Sequence, residues 1–326
     1  MKAVELSFNA NHASLEVKKE VGVPIRKKGE LLIKVSAAAV NRTDLVAKET
    51  GGLPKGNPIL GVEVSGTVIE SDSLQFPCGT RVMGLVNGGG YAEYAVMQVG
   101  NAMPLSESLT FEEGAAIPEV FLTAYQTLFW LGKLKETESV LIHAGASGVG
   151  TAAIQLVKQL TDAKIFVTAS SPDKLELCQK LGADVLINYH EEDFSKRILH
   201  ETNDQGVNVI LDFIGASYWE QNLASIAVDG RFILIGILGG SVVPKVDLMT
   251  LLQKRVTVEG TLLTPRSDAY KAELTREFSV KTNKLFATNK LKPIIDSTFK
   301  LEDVEEAHQR MAANKNKGKI ILKIRE

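Results

Sequence analysis

The segment Val140–Gly150 constrains the fold of this chain more than any other stretch. It begins with a short apolar run, passes through three glycines and leads into a stretch that opens with the small residues Ala152 and Ala153. This order predicts a strand, a tight turn and a helix. Glycines let the backbone approach a ligand, and the free N–H groups at the start of a helix attract anions. The segment therefore predicts a turn that binds the pyrophosphate of a dinucleotide; the alternative is a glycine-rich turn of an α/β protein without a ligand.

The chain from about residue 120 onward alternates between strands and helices. A helix around Phe121–Leu134 comes first. The predicted strands are 139–143, 164–168, 184–188, 207–213 and 231–236, and the predicted helices between them are 149–160, 172–181, 192–202 and 217–227. Alternation at this spacing is typical of a doubly wound parallel sheet. We expect residues 120–258 to form the dinucleotide-binding domain.

The two ends of the chain have a different pattern. Glycine and proline separate short strands in the first hundred residues, among them Leu31–Val35, Gly61–Ile69 and Arg81–Val86, which predicts a β-rich domain. After about residue 258, helices near 268–288 and 302–313 precede a last strand, 319–324. A chain of 326 residues is long enough for two domains. We therefore expect an α/β protein in which residues 1–119 and 259–326 form a second, β-rich domain.

Composition excludes several classes of protein. The net charge is -2, with 44% hydrophobic and 23% charged residues, which is ordinary for a globular protein and argues against nucleic acid as the main partner. The two cysteines, Cys78 and Cys178, lie far apart and predict neither a disulfide framework nor a cysteine-rich metal site. No signal peptide or membrane-spanning apolar run is found. We expect a cytoplasmic protein with small-molecule partners and no membrane partner.

The residues that follow the second predicted strand of the sheet indicate the type of dinucleotide. An acidic residue at this place would bind the ribose 2′-hydroxyl of NAD, but this chain has Ser170, Ser171 and Lys174 instead. These side chains can donate to and neutralise a 2′-phosphate, which favours NADPH. Two alternatives remain open: Ser171 as the cap of a helix that begins at Pro172, and Lys174 as a solvated surface lysine.

Ordered segments along essentially the whole chain carry a family pattern. They are Ala39–Leu45, Ile59–Gly66, Ala115–Glu119, His143–Gly145, Ser147–Leu156, Ile187–Tyr189, Glu192–Ser195 and Ala313–Ile320. Together they resemble the medium-chain dehydrogenase/reductase superfamily and, within it, the zinc-free quinone oxidoreductases, with similarity to the p53-inducible type. The resemblance implies a Rossmann domain, a GroES-like substrate domain built from both chain ends, and an active site in the cleft. It also implies a homodimer that pairs through the edge strand Val256–Thr261.

The resemblance also implies roles for particular residues. The catalytic residues it implies are Asn41 and Asp44, beside the nicotinamide or the acceptor. The cofactor-binding residues it implies, besides the three already named, are Thr123, Ser147, Gly148, Val149, Gly150, Tyr189, Phe213, Ile214, Gly236, Ile237, Leu238, Leu262, Leu263, Thr264, Asn314 and Asn316. Each has a structural alternative: Asn41 and Asp44 as turn caps, Tyr189 as a surface aromatic, and Phe213 as a core residue. We interpret His143 as a structural histidine.

Zinc ligands of the family's alcohol dehydrogenases are replaced in this chain. The corresponding positions resemble Asn41, Val62 and the Pro118–Glu119 region, so the expected metal content is none. Alcohol oxidation of the usual kind needs zinc to lower the pKa of the alcohol, whereas a quinone accepts a hydride and stabilises the negative charge itself. The sequence therefore favours an NADPH-dependent quinone reductase.

One departure from the family pattern concerns the loop Glu49–Pro54. Related enzymes carry a tyrosine where this chain has Gly52, and in enoyl-thioester reductases that phenol donates a proton. Its loss disfavours the second hypothesis, an NADPH-dependent alkenal, enone or enoyl-thioester reductase in which Tyr91 or a bound water replaces the phenol. A third hypothesis, a crystallin-like or RNA-binding role, is disfavoured by the near-neutral charge.

Overall fold

The computed structural model describes residues 1–9, 12–53 and 56–325. The chain divides into two units, the first comprising Met1–Leu122 with Leu263–Glu326 and the second comprising Thr123–Leu262. Pro54, which belongs to the loop of Gly52, lies outside the described residues. No helix of the described part of the chain is long and apolar enough to cross a membrane.

The elements up to the boundary between the units are mostly strands. They are β1 (Ala3–Asn9), β2 (His12–Lys18), β3 (Glu30–Val40), α1 (Arg42–Thr50), β4 (Glu63–Glu70), β5 (Arg81–Leu85), β6 (Tyr94–Gln98), β7 (Ala102–Pro104), α2 (Phe111–Ala115) and α3 (Pro118–Tyr125). A π-helical turn, Gln126–Leu131, continues α3, where the sequence predicts one uninterrupted helix.

The elements of the second unit alternate as the sequence predicts. They are β8 (Ser139–Ile142), α4 (Gly148–Leu160), β9 (Lys164–Ala169), α5 (Pro172–Leu181), β10 (Val185–Asn188), α6 (Phe194–Glu201), β11 (Val207–Asp212), α7 (Trp219–Ser225), β12 (Ile226–Leu234), α8 (Leu248–Lys254) and β13 (Thr257–Gly260). Helices α1 and α8 are not among the elements that the sequence predicts. The sequence predicts a fifth strand at 231–236, whereas β12 begins at Ile226, beside Val207 of β11.

The end of the chain returns to the first unit. Its elements are α9 (Asp268–Ala287), β14 (Ile295–Lys300), α10 (Val304–Ala312) and β15 (Lys319–Lys323). Among the described residues, the main sheet of this unit has the order β14-β15-β3-β4-β5-β7, with β6 also paired to β3, and β1 and β2 form a separate hairpin. The core contains alternate residues of β3 such as Leu31, Ile33 and Val35, all fully buried.

The sheet of the second unit has the order β10-β9-β8-β11-β12-β13, and the paired strands are parallel. Numbered within the unit this is 3-2-1-4-5-6, the doubly wound Rossmann order, which confirms the predicted fold class. The order reverses between β8 and β11, so a crevice forms at their carboxyl ends. Ligands of open α/β sheets bind at such a switch point.

Candidate functional site

Three neighbouring strands of the first unit bring Asn41, Glu63 and Lys319 together. Asn41 follows β3, Glu63 begins β4 and Lys319 begins β15, and these strands are adjacent in the sheet. The Lys319 ammonium donates to Glu63 Oε1 at 2.7 Å and to Asn41 Oδ1 at 2.6 Å. The Asn41 amide in turn donates to Glu63 Oε1 at 2.8 Å. All three side chains are buried, so the ammonium neutralises a carboxylate that lies away from water.

Asp44 lies in the first turn of α1 and is fully buried. Its carboxylate accepts hydrogen bonds from the backbone N–H of Asn41 at 2.9 Å and of Gly61 at 3.0 Å, and from the Tyr91 hydroxyl at 3.0 Å. Burial raises the pKa of Asp44 to about 6, although these hydrogen bonds oppose the shift. Asp44 thus fixes the loop that carries Asn41, whose side chain points to Glu63 and Lys319.

Glu119, in the first turn of α3, is a member of this cluster that the sequence analysis did not propose as functional. Its backbone N–H donates to Glu63 Oε2 at 2.8 Å, and its side chain accepts a long hydrogen bond from the Thr264 hydroxyl, 3.4 Å from Oε1. Burial and the nearby Glu63 carboxylate raise the pKa of Glu119 to about 8. The family resemblance already groups the Pro118–Glu119 region with Asn41 and Val62 as replaced zinc positions, but no local pattern shows that Lys319 joins them.

The glycine turn of the second unit has the geometry of an anion-binding helix start. Ser147 caps α4, and its hydroxyl accepts from the Gly150 N–H at 3.1 Å. A Cβ on Gly150 would lie 2.5 Å from the Ala144 carbonyl oxygen and 2.6 Å from that of Gly145. Gly150 is therefore required for the close packing of α4 on the turn, while Gly148 and Val149 supply the first helical N–H groups.

The residues after β9 are arranged around a cation. The Lys174 ammonium lies 3.3 Å from the Ser170 hydroxyl, and both side chains are half-buried. Ser171 occupies the cap position of α5, but its hydroxyl donates to the carboxylate of the exposed Asp173. The alternative of Ser171 as the cap residue is borne out by its position before Pro172, although its hydroxyl oxygen accepts no backbone N–H of the helix. The structure brings Ser170, Ser171 and Lys174 together at one strand end.

His143 is a structural residue, as the sequence analysis interprets it. It is fully buried, with Nδ1 2.9 Å from the Thr168 hydroxyl and Nε2 2.7 Å from Asn222 Oδ1. The Asn222 amide donates to Asp212 at 3.3 Å, which leaves its oxygen to accept from Nε2. Burial lowers the pKa of His143 to about 4 and raises that of Asp212 to about 6. Sequence analysis missed Asp212, which also holds the following loop through the N–H groups of 214 and 215.

The other predicted cofactor residues of the second unit follow carboxyl ends of the parallel strands. Tyr189 follows β10, Phe213 and Ile214 follow β11, and Gly236, Ile237 and Leu238 follow β12. Tyr189 is 38% exposed and packs edge-on to Tyr218, with ring centroids 6.1 Å apart. Phe213 and Ile214 are half-buried rather than part of the core. Thr123 is buried at the start of the unit, and Leu262 is exposed at its end.

Four predicted cofactor residues belong to the first unit, the unit that also contains Asn41. Leu263 is buried and Thr264 contacts Glu119. Asn314 Oδ1 accepts from the Arg42 guanidinium at 2.7 Å, and Asn316 Nδ2 donates to the Gly318 carbonyl at 2.8 Å. These contacts connect α1 to the end of α10 and shape the turn that leads into β15.

Comparisons with known proteins agree with this architecture. The model of the alcohol dehydrogenase GroES-like domain matches residues 27–107, and that of zinc-binding dehydrogenase matches residues 148–278. The synaptic vesicle membrane protein VAT-1 homolog of Danio rerio is 32% identical over 94% of this chain and 66% of its own length. The quinone oxidoreductase-like protein 2 homolog of Nematostella vectensis is 32% identical over 82% of this chain and 73% of its own length.

A solved structure agrees over the full length. The crystal structure of Escherichia coli quinone oxidoreductase complexed with NADPH matches with a TM-score of 0.87 and 27% identity, covering 99% of this chain and 100% of that one. The match extends through both units, including the strands that end at the glycine turn and at the Asn41 cluster. The family resemblance of the sequence is thereby confirmed, and the chain belongs to the medium-chain dehydrogenase/reductase superfamily of oxidoreductases.

Proposed function

We propose that the protein reduces quinones with NADPH. The observation that carries the proposal is the Rossmann switch point of the second unit, where the glycine turn after β8 and the Ser170–Lys174 segment after β9 follow neighbouring parallel strands. Ser170 and Ser171 stand directly after β9, and the nearest acid, Asp173, is exposed in the first turn of α5. The full-length similarity to an NADPH-bound quinone oxidoreductase supports the same function. The nicotinamide of bound NADPH would supply the hydride. The task of the chain is to bind the two reactants, orient them and exclude water.

The preference for NADPH rests on charge. A 2′-phosphate carries negative charge that the Lys174 ammonium can neutralise, and the Ser170 hydroxyl can donate a hydrogen bond to it. Ser171 would donate to the phosphate in exchange for its present bond to Asp173. Gly148 and Val149 offer N–H groups to the pyrophosphate, and Gly150, whose N–H donates to Ser147, allows the close packing of the turn. The remaining predicted contacts of the cofactor are proposals of the same kind, to be tested residue by residue.

We further propose that the reaction needs no zinc, although one matching family model is named for that metal. Lys319 donates to both Asn41 and Glu63, so a cation already lies between the oxygens that a metal would need. The thiols lie elsewhere: Cys78 is exposed beyond β4, and Cys178 is buried in α5, where burial raises its pKa to about 12. A neutral thiol and an occupied carboxylate are poor zinc ligands. The donors present do not fit the metal.

Asn41 and Asp44 have different parts in this proposal. Asn41 is 7% exposed and lies at the end of β3, where its amide contacts both Glu63 and Lys319 and would border the acceptor. Asp44 is fully enclosed and acts on Asn41 through the backbone, which makes it a positioning residue. Two free cysteines suit a reducing compartment, and we propose a cytoplasmic location.

We propose that two copies of the chain form a homodimer through the second unit. β13 is the edge strand of the sheet, and Val258 on it is 39% exposed. The preceding helix α8 exposes Leu248 at 66% and Leu252 at 70%. An apolar surface beside an open strand edge favours pairing with an identical edge across a two-fold axis.

A substrate panel tests the proposed reaction. NADPH oxidation is followed with ortho- and para-quinones beside enals, enones and enoyl thioesters. We expect quinone turnover to dominate. Brisk enoyl-thioester turnover without any quinone turnover would contradict the proposal.

The alternative reductase activity requires a proton donor for carbon. Tyr91, the residue considered for that role, is fully buried, and its hydroxyl lies 3.0 Å from Asp44 Oδ2 and 3.2 Å from His308 Nε2. Burial and the Asp44 charge raise its pKa well above the usual value, which makes it a weaker acid. This environment argues against Tyr91 as the missing donor.

A further inference from the structure

Glu119 differs from the other acids of the Asn41 cluster in its exposure. Asp44 and Glu63 are fully buried, and Lys319 is 3% exposed. Glu119 is half-buried as a residue and is thus more accessible than the three other charged members of the cluster. Among the described charged residues of the cluster, Glu119 is therefore the one that an arriving molecule can meet and that water can recharge with a proton.

The hydrogen bonds of the cluster pair its central cation, the Lys319 ammonium, with the Glu63 carboxylate. Glu63 receives the Lys319 ammonium on Oε1 and the backbone N–H at the start of α3 on Oε2. The positive end of this helix thus already faces an anion. The Glu119 side chain extends from the same first turn and accepts a hydrogen bond from the Thr264 hydroxyl. A negative charge on Glu119 would therefore lack the ammonium and the backbone N–H that stabilise the charge on Glu63.

The charged groups around Glu119 come from four elements. Glu63 on β4 and Asp44 on α1 disfavour its ionisation, whereas Lys319 on β15 and Lys271 on α9 favour it. Lys271 is itself held 2.8 Å from Asn87 Oδ1 and 3.8 Å from Asp268. The combined result of burial and these charges is a pKa of about 8, so the carboxyl group is mainly protonated at neutral pH.

We propose that Glu119 is the proton donor of the reduction. This inference rests on the proposed quinone reductase function. Bound NADPH would supply the quinone with a hydride and become NADP⁺, and the quinone would become a hydroquinone anion. The O–H bond of the Glu119 carboxyl group then breaks, a new O–H bond forms on the anionic oxygen, and the hydroquinone is complete. The carboxylate that remains takes a proton from water.

The role of Thr264 follows from its hydrogen bond. Its hydroxyl donates to Glu119 Oε1 at 3.4 Å, which leaves Oε2 to carry the proton. After transfer the same hydroxyl stabilises the carboxylate. A general acid is most effective when its pKa is near the working pH, because it then gives up its proton and regains it readily.

The test uses Glu119→Gln, which keeps the size of the side chain but carries no transferable proton, and Glu107→Gln, at an exposed position of the same unit, as the matched control. The first readout needs neither cofactor nor substrate: the infrared carbonyl band of a protonated carboxyl group in the full chain. We expect a band that titrates near pH 8 in the wild type and in the Glu107 variant and is absent from the Glu119 variant. A wild type without that band at pH 7 would overturn the inference, whatever the variant does.

The second readout is quinone reduction as a function of pH. We expect kcat of the wild type and of the Glu107 variant to fall above about pH 8. At pH 7 we expect kcat of Glu119→Gln to be at most about one tenth of the wild-type value, and we expect it to show no such decline at higher pH. The KM for NADPH should not change. A Glu119 variant with the wild-type rate and pH profile would refute the role. Absence of quinone turnover in the wild type would refute the proposed function, while the infrared titration would still report on Glu119.

Discussion

The Lys319 ammonium lies 2.7 Å from Glu63 Oε1, and both side chains are almost completely shielded from water. The pair joins β15 to β4 across the end of β3, which lies between them in the sheet. Asn41 completes the arrangement by contacting both charges. One buried ion pair thus holds together the strand ends that carry the candidate site.

Replacement of Lys319 by Met should destabilise the protein strongly. The buried Glu63 carboxylate would lose its cation, and breaking a buried pair costs about 3–5 kcal/mol. Urea denaturation measures the loss. Lys323→Met, at an exposed position of the same strand, should cost less than about 1 kcal/mol.

The double variant Glu63→Gln with Lys319→Met should recover part of that stability, because no uncompensated charge remains. A single Lys319 variant as stable as the Lys323 variant would show that the pair does not hold the strand ends.

Lys174→Ala should weaken the binding of NADPH far more than the binding of NADH. The lysine faces the expected position of the 2′-phosphate, which NADH lacks, and a charge-assisted contact of this kind is worth about 1.5–3 kcal/mol. Apparent KM values for the two cofactors provide the measurement, with Lys180→Ala, an exposed substitution in the same helix, as control. Equal effects on NADPH and NADH would refute the contact.

Gly150→Ala should disrupt the glycine turn. The added methyl group would lie 2.5 Å from the carbonyl oxygen of Ala144, so α4 would have to move. We expect a loss of about 1–3 kcal/mol in stability and a clear rise in the Kd for NADPH. Gly22→Ala is the control, because Gly22 is exposed and no atom lies within 4 Å of its added Cβ. Unchanged NADPH binding in the Gly150 variant would contradict the assignment of the turn.

The second unit could be predicted well from the sequence because its signals are local. The periodic helices, the strand runs and the glycine turn each lie within a few residues, and α5 begins and ends where Pro172 and Gly182 predict. The Asn41 cluster could not be predicted in this way. Lys319 begins a strand, and its sequence context predicts a surface residue. Its burial depends on the pairing of β15 with β3. The sequence likewise predicts Ser171 at the N-cap of α5, where it lies, but does not show that its hydroxyl donates to Asp173.

The pKa of His143 predicts a pH dependence of stability. Burial lowers it from 6.5 to about 4, so the unfolded chain binds a proton between these values and the folded protein does not. The titration of His143 therefore leaves the free energy of unfolding unchanged above about pH 6.5. As the pH falls from 6.5 towards 4, it lowers the free energy of unfolding by about 3 kcal/mol. Asp44 and Asp212, with pKa values raised to about 6, have the opposite effect over much of this range.

The contribution of His143 is therefore measured as a difference. The free energy of unfolding is compared between wild type and His143→Gln at several pH values, with the exposed His200→Gln as control. The gap between wild type and His143→Gln should narrow as the pH is lowered from 6.5 to 4. A gap that is constant over this range would show that His143 is protonated in the folded protein.

Leu252→Glu should weaken the proposed homodimer. The side chain is 70% exposed beside the edge strand, and a charge there would have to be buried on association. Sedimentation should show a monomer for this variant and a dimer for Val280→Glu, which alters an exposed residue of the first unit. The proposed interface is wrong if both variants remain dimeric.

The most direct test of the account is the rate of NADPH oxidation by a quinone in protein from which metals have been removed by a chelator. Zinc content is determined on the same sample. We expect a rate that saturates with both NADPH and quinone and does not change when zinc is restored, because Lys319 already supplies the positive charge at Glu63. Activity that appears only on addition of zinc, or no oxidation of bound NADPH by any quinone, would contradict the account.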